Sequence, residues 1–224
     1  TLFMVLLAGL DLLFHRYTGQ GDILIGTSTG NRSRPETEGL IGFFINSLVL
    51  RVGVSSALSG RELLARVKEA CLGAYAHEEL PFERLVQELA PERDMSRTPL
   101  FQVMFTLQNG PREVPSLPGL RLRPARSEMA SAKFDLTLSM SDGAEGLGGS
   151  LEYSSDLFDG DTIGRMIEHL RVLLEGERLL VELDEREGEV QVIRRSAVVA
   201  RLLQQADGDV QRDQFELLSW LGLR

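Results

Sequence analysis

Asn46 is the residue whose type and place point most directly to chemistry. It lies in Ile41-Gly42-Phe43-Phe44-Ile45-Asn46-Ser47-Leu48-Val49-Leu50-Arg51-Val52, an otherwise apolar run. On a strand it would share a face with Phe44, Leu48 and Leu50. A buried amide must pair both its oxygen and its NH2, or cost about 1–3 kcal/mol. The pattern leaves two roles open: stitching a neighbouring loop to the sheet, or facing a solvent-filled channel where a substrate amide pairs with it. A second candidate segment is Gly26-Thr27-Ser28-Thr29-Gly30-Asn31-Arg32, which follows a short apolar strand. Its two glycines suggest a phosphate cradle, but no Lys-Ser/Thr pair follows and the spacing fits neither phosphate-loop pattern. A structured loop at the carboxyl end of a strand is the expectation, with Arg32 as a buried fork donor to backbone carbonyls or a carboxylate.

The remaining reactive residue types read more plainly. His77 ends a long helix, where the macrodipole favours it without any catalytic role. Cys71 lies on an apolar helical face as a core thiol. Arg93-Asp94 and Arg97 form a local ion-pair and turn device, and Trp220 anchors the last helix. His15, His77 and His169 are far apart, and the single cysteine excludes both a disulfide framework and a cysteine-built zinc site. The sequence therefore offers no complete catalytic constellation and no metal site.

Composition narrows the function classes. The chain has 224 residues, 24 Lys+Arg against 33 Asp+Glu, and a net charge of −9. Nucleic acid and anionic membranes need clustered positive charge, so neither is an expected partner. Hydrophobic content of 43% with 25% charged residues belongs to a globular protein able to bury a real core. One free cysteine makes a reducing, cytoplasmic setting the default. The opening Thr1-to-Tyr17 run is interrupted by Asp11 and falls short of the roughly 20 apolar residues a span requires. It reads as a helix buried on nearly every side, and its start at Thr1 reads as a piece of something longer.

The elements that must position these residues alternate. Ile23 to Gly26 is predicted as a strand, followed by a polar loop from Thr27 to Pro35. Ile41 to Val52 lacks alternation, which predicts a strand covered on both faces and helices on each side of the sheet. Ser59 opens a helix with Leu63, Leu64, Val67, Ala70, Cys71 and Ala74 at helical spacing. Pro81 sits just inside a shorter helix with a Phe82, Leu85, Val86, Leu89 stripe. Further strands are expected at Leu100–Leu107, Phe134–Met140 and Leu151–Tyr153, with a turn from Gly143 to Gly149. Gly110 to Pro124 reads as a loop or crossing segment, and Asp161 opens a helix with Ile163, Met166, Ile167, Leu170 and Leu174 on one face. Beyond Gly176 the texture changes. The fold class is α/β.

Three segments carry a resemblance. IGFFINSLVLR (Ile41 to Arg51), AHEELPFERLVQEL (Ala76 to Leu89) and RDMSRTPLFQVMFTLQN (Arg93 to Asn109) resemble, in order and separation, the three late core motifs of nonribosomal peptide synthetase condensation domains. The likeness covers roughly Thr1 to Leu174 and fades after about Gly176, which divides the chain into residues 1–176, a C-terminal condensation lobe, and 177–224, a divergent tail. The resemblance implies a chloramphenicol acetyltransferase-like lobe, a mixed sheet with helices packed on it, from a V of two lobes with a tunnel between them. It implies an acyltransferase that joins carrier-protein-bound aminoacyl or peptidyl thioesters by amide-bond formation. The substrates ride on phosphopantetheine arms, no cofactor is bound directly, and an adenylation domain is a possible neighbour. Asn46 falls on the family's tunnel-facing Phe-x-Asn position. Ser28 and Arg32 join it as tunnel residues, Arg32 matching the arginine of a Gly-Arg loop in which Asn31 replaces the glycine. The stretch from Gly110 to Pro124 lies where the family sends a latch to the other lobe.

The family's His-His-x-x-x-Asp-Gly motif is absent, so the N-terminal lobe is an expected partner and no catalytic residue is assigned here. The chain alone is expected to be inactive, with an exposed inner face. Two alternatives stand beside this reading: a relative using the fold for epimerisation, ester formation or transfer from coenzyme A, and a non-catalytic carrier-protein-binding remnant.

Overall fold

The first helix is set by its caps and by apolar residues on all sides. Thr1 accepts a hydrogen bond from the Met4 amide, and Gly19 ends the helix at φ 70°, a left-handed position that glycine adopts without strain. Between them α1 (Leu2–Thr18) buries Met4, Leu6, Leu7, Ala8, Leu10, Leu13 and Phe14. The computed structural model describes residues 1–32, 34–89, 97–108, 131–143 and 146–182.

Five strands form one mixed sheet in the order β2-β1-β3-β4-β5. They are β1 (Asp22–Thr29), β2 (Asn46–Gly53), β3 (Val103–Gln108), β4 (Leu136–Gly143) and β5 (Gly146–Tyr153). β1, β3 and β4 run parallel, and β2 and β5 pair antiparallel at the two ends of that order. The register puts Ile23 and Ile25 beside Val52 and Leu50, and Phe105 beside Leu138. Side chains alternate across a strand, so these residues share one face, and α1, α3 (Gly60–Tyr75) and α5 (Gly160–Glu182) form the core with it. A single turn, α2 (Pro35–Glu38), lies between β1 and β2, and α4 (Phe82–Leu89) follows α3.

Several boundaries differ from expectation, for identifiable reasons. The run from Ile41 to Val52 is not one strand. Pairing with β1 begins at Asn46, and Ile41, Phe43 and Ile45 before it are exposed. Within β2 burial alternates, with Leu48, Leu50 and Val52 inside and Arg51 outside. Helices do not divide evenly between the two faces as expected: α1, α3 and α5 all join the core on one side, and the start of α4 meets the other face through Phe82 on the Phe101 ring. Thr27, Ser28 and Thr29 belong to β1 rather than to a loop, because Leu48, Ser47 and Asn46 supply their partners. β3 starts three residues later than expected, after Leu100 at φ 71°. β4 and β5 run through most of the glycine-rich stretch expected as a turn, to Gly143 and from Gly146. α4 begins at Phe82, with Pro81 just outside it offering its carbonyl to the Arg84 and Leu85 amides. α5 continues through Gly176 to Glu182. Arg93, Asp94, the Gly110–Pro124 latch and Trp220 lie outside the described residues.

The opposite face of the sheet is chemically different. Gly26 pairs with Met104 there, and a Cβ on Gly26 would fall 2.2 Å from the Phe101 ring. Phe101 in turn meets the rings of Phe82 and Phe134 at 5.6 Å and 5.3 Å. Cys71 behaves as a core residue: burial, helped by the charge of Asp11, pushes its thiol up to about 11.

This packing can be tested at two points. Gly26→Ala forces the Phe101 ring from its seat and should lower stability by about 1–3 kcal/mol, as overpacking does. The double variant Gly26→Ala/Phe101→Leu should lose less than the two single losses combined, read from chemical denaturation midpoints; strict additivity would mean the ring is not seated on that glycine. At the start of α5, Asp159 accepts from the Thr162 amide at 2.6 Å, and this bond holds its carboxyl below the ordinary 3.8. Asp159→Ala should therefore cost about 1 kcal/mol at neutral pH. Because the folded carboxyl is the stronger acid, that difference is present above the ordinary carboxylate range and fades as pH falls through the lowered value. Melting curves at neutral pH and in acid below the carboxylate range would show the gap closing.

Candidate functional site

Because β1, β3 and β4 are parallel, their carboxyl ends lie at one edge of the sheet, the side where open α/β sheets usually bind ligands. Thr29 and Asn46, the last pair between β1 and β2, stand at that edge. Ser28 is one residue before it, exposed, and paired with Ser47 on the face away from α1, α3 and α5. That face continues through Thr106, Ser139 and Ser150, whose registers are aligned across β3, β4 and β5. The Thr106 hydroxyl donates to Ser139 Oγ at 3.3 Å. The result is a row of small hydroxyl side chains that can pair with amides but are not, by themselves, acids or bases near neutral pH.

Asn46 is fully bonded. Its Nδ2 donates to the Glu78 carbonyl at 2.8 Å and to the Leu80 carbonyl at 2.7 Å. Its Oδ1 accepts from the Ser47 amide at 2.9 Å and from the Phe82 amide at 3.1 Å. Of the two roles the sequence left open, this geometry is that of the stitch. The turn between α3 and α4 passes the end of the β1–β2 pair, and the amide fastens it there. The need is local: residues 76–81 belong to neither helix, so their carbonyls require partners outside a helix. Thr29 adds a second fastening, its hydroxyl donating to Glu78 Oε2 at 2.6 Å.

Arg32 is half-buried rather than buried, and it does act as a fork donor. Its Nη1 donates to the carbonyls of Thr37 and Glu38, and its guanidinium lies 4.1 Å from the centre of the Phe44 ring. Asn31 before it has φ 45°, a left-handed position that asparagine tolerates better than most residues. Arg34 Nη2 pairs with Glu79 Oε1 at 3.1 Å, both largely exposed. Asn46, Ser28 and Arg32 thus gather at one end of the sheet. Arg32 reaches Asn46 only through Phe44, two residues upstream.

The histidines are not brought together. His77 Nδ1 bonds the Gly73 carbonyl at 2.9 Å, His15 Nδ1 the Gln20 carbonyl at 2.6 Å, and His169 Nδ1 the Tyr17 hydroxyl at 2.6 Å. Among the described residues no group of three or more His, Cys, Asp or Glu side chains could hold a metal ion. None of the helices among the described residues is long and apolar enough to cross a membrane. Sequence reasoning missed Thr29 and Glu78. By composition Thr29 reads as a loop residue, and its contact with Glu78 joins residues 49 apart, for which no local signal exists.

Comparison with known proteins gives this geometry a family. A family model for the condensation domain matches residues 1–195. One linear gramicidin synthase chain of Brevibacillus parabrevis is 54% identical over 176 residues, covering 78% of this chain and 4% of that protein. A second chain of the same synthase is 47% identical over 178 residues, covering 79% of this chain and 2% of that protein. The chain thus spans only a few per cent of these relatives' length. Among solved structures, the X-domain in its complex with OxyB from teicoplanin biosynthesis superposes with a TM-score of 0.67 at 28% identity, over 78% of this chain and 39% of that one. The late motifs, the mixed sheet with its helices and the match across residues 1–195 agree: this chain belongs to the condensation-domain family.

Proposed function

We propose that the chain is the C-terminal lobe of a condensation domain and forms one wall of a passage in which two tethered substrates become an amide. The amine of one aminoacyl thioester attacks the carbonyl carbon of the other. A C–N bond forms, the C–S bond breaks, the phosphopantetheine thiol leaves, and the amine's proton passes to a base or to solvent. Such a reaction gains most from holding both reactants in place, and further from a group that orients or accepts that proton. The observation that carries the reading is the gathering of Ser28, Asn46 and Arg32 at the carboxyl edge of the parallel strands, beside a hydroxyl-lined sheet face. That the chain covers 39% of the superposed X-domain is consistent with one lobe of two.

No two histidines are adjacent in these 224 residues. We therefore assign the proton-handling group to the N-terminal lobe, with Asn46 shaping the wall from this side. Carrier proteins bearing the thioesters are the partners in this reading, an adenylation domain is a neighbour in the longer protein, and the cytoplasm is the setting. The chain alone should give no turnover with loaded donor and acceptor carrier proteins, and adding a lobe that carries His-His-x-x-x-Asp-Gly should produce it. Amide formation by these 224 residues alone would sink the proposal.

In the completed domain Asn46→Ala removes four backbone contacts and should slow condensation by about 10- to 100-fold, the equivalent of about 1–3 kcal/mol. Asn46→Asp should be at least as damaging, because a carboxylate would face the Glu78 and Leu80 carbonyls without a proton to donate. Rates from single-turnover assays would check both, and an active Asn46→Asp variant would remove the amide from the account. A second reading, a binding platform without chemistry, is favoured by one finding: the superposed X-domain was solved in complex with another protein, OxyB. Capture of a phosphopantetheinylated carrier protein without turnover, in the completed domain as well, would support it.

A further inference from the structure

Glu78 touches both strands of the β1–β2 pair at its end. Its carboxylate accepts from the Thr29 hydroxyl at 2.6 Å, the length of an O–H···O bond to a carboxylate, and its carbonyl accepts from Asn46 Nδ2 at 2.8 Å. Thr29 and Asn46 are themselves register partners. The side chain and the main chain of one turn residue therefore close a ring across the last rung of the ladder. Two further contacts come from the next two residues of the turn: Arg34 pairs with Glu79, and Asn46 donates to the Leu80 carbonyl.

What this ring holds is the root of the segment joining β1 to β2. Ser28 lies one residue before Thr29, and Arg32 lies three residues after it. Phe44, which carries the Arg32 guanidinium, lies two residues before Asn46. Leu40, Ile41, Phe43 and Ile45 in the same segment are exposed and contribute nothing to the core. A segment with so little burial of its own would sample many arrangements unless fixed at its ends.

We propose that Glu78 is a positioning residue: by bonding Thr29 and Asn46 together it fixes both roots of the β1–β2 connection, and so presents Ser28 and Arg32 in one arrangement. The consequence for rate rests on the tunnel-wall reading above, whereas the contact itself does not.

The two can be tested apart. In the full 224-residue chain, amide hydrogen exchange is followed for the hydrogen-bonded amides within residues 34–45, Thr37 and Leu40, and for β3 and β4 in Thr29→Val, Glu78→Ala, their double variant, Thr29→Ser and Glu78→Gln. Each of the first two should raise exchange at Thr37 and Leu40 by about tenfold, the loss of one hydrogen bond to a charged group, and leave β3 and β4 unchanged. The double variant should exceed neither single by more than about twofold, because both remove the same bond. Thr29→Ser and Glu78→Gln keep a donor and an acceptor and should restore most of the protection. In the completed domain Glu78→Ala should then lower kcat several-fold while KM for the acceptor-loaded carrier protein stays near its original value and Glu78→Gln recovers the rate. Unchanged exchange at Thr37 and Leu40, or additive effects, would overturn the clamp. A rate loss that follows the melting temperature, with no rescue by glutamine, would overturn its positioning role. If the completed wild-type domain makes no amide, the functional reading falls while the exchange data still decide the contact.

Discussion

The constraint on which the structure depends is that α1 is apolar around most of its circumference and has to be covered on several sides at once. Fully burying a leucine contributes about 1.5–3 kcal/mol relative to leaving it in water, and α1 carries Leu6, Leu7, Leu10 and Leu13 in that state. One sheet face cannot cover such a helix. α3 and α5 flank it, and Gly9 lets α5 approach so closely that a Cβ there would lie 2.6 Å from Leu174. Three helices are thereby committed to one side of the sheet, and the side chains of β1 to β5 divide accordingly.

That division creates the second face. With the core aliphatic residues drawn toward α1, the alternate positions carry Ser28, Ser47, Thr106, Ser139 and Ser150 together with Leu24, Val49 and Met104, and the Phe101 ring lies over Gly26. Such a face is suited to pairing with amides and poor at moving protons. The turn from α3 into α4 leads from the core side, at Cys71, toward the Phe82–Phe101 contact on the other face. Asn46 and Glu78 sit where it passes the strand ends, and a polar amide at the end of an apolar strand is explained by the carbonyls it meets there.

Much of this is legible in the residues. The buried first helix follows from apolar positions without a polar face, the start of α3 from Ser59 and Glu62, and β4 from the alternation of Phe134 to Met140. Glu62 and Ser59 do form the reciprocal cap, with the Ser59 amide donating to Glu62 Oε2 at 2.8 Å. Composition misleads where pairing overrides it. Ile41 to Ile45 has the aromatic and β-branched content of a strand but lies outside the ladder, whereas Thr27 to Thr29 looks like a loop and is held in β1 by the polar start of β2.

The sequence by itself determined the family, the α/β class, the main helices and the identity of Asn46 as the residue to explain, because motifs and hydrophobic periods are properties of short stretches. Tertiary structure alone decided that the long helices share one face, that Asn46 fastens the α3–α4 turn through three backbone groups, and that Thr29 meets Glu78. Those outcomes depend on which strand lies beside which and on contacts between residues tens of positions apart, and nothing within a local window specifies either.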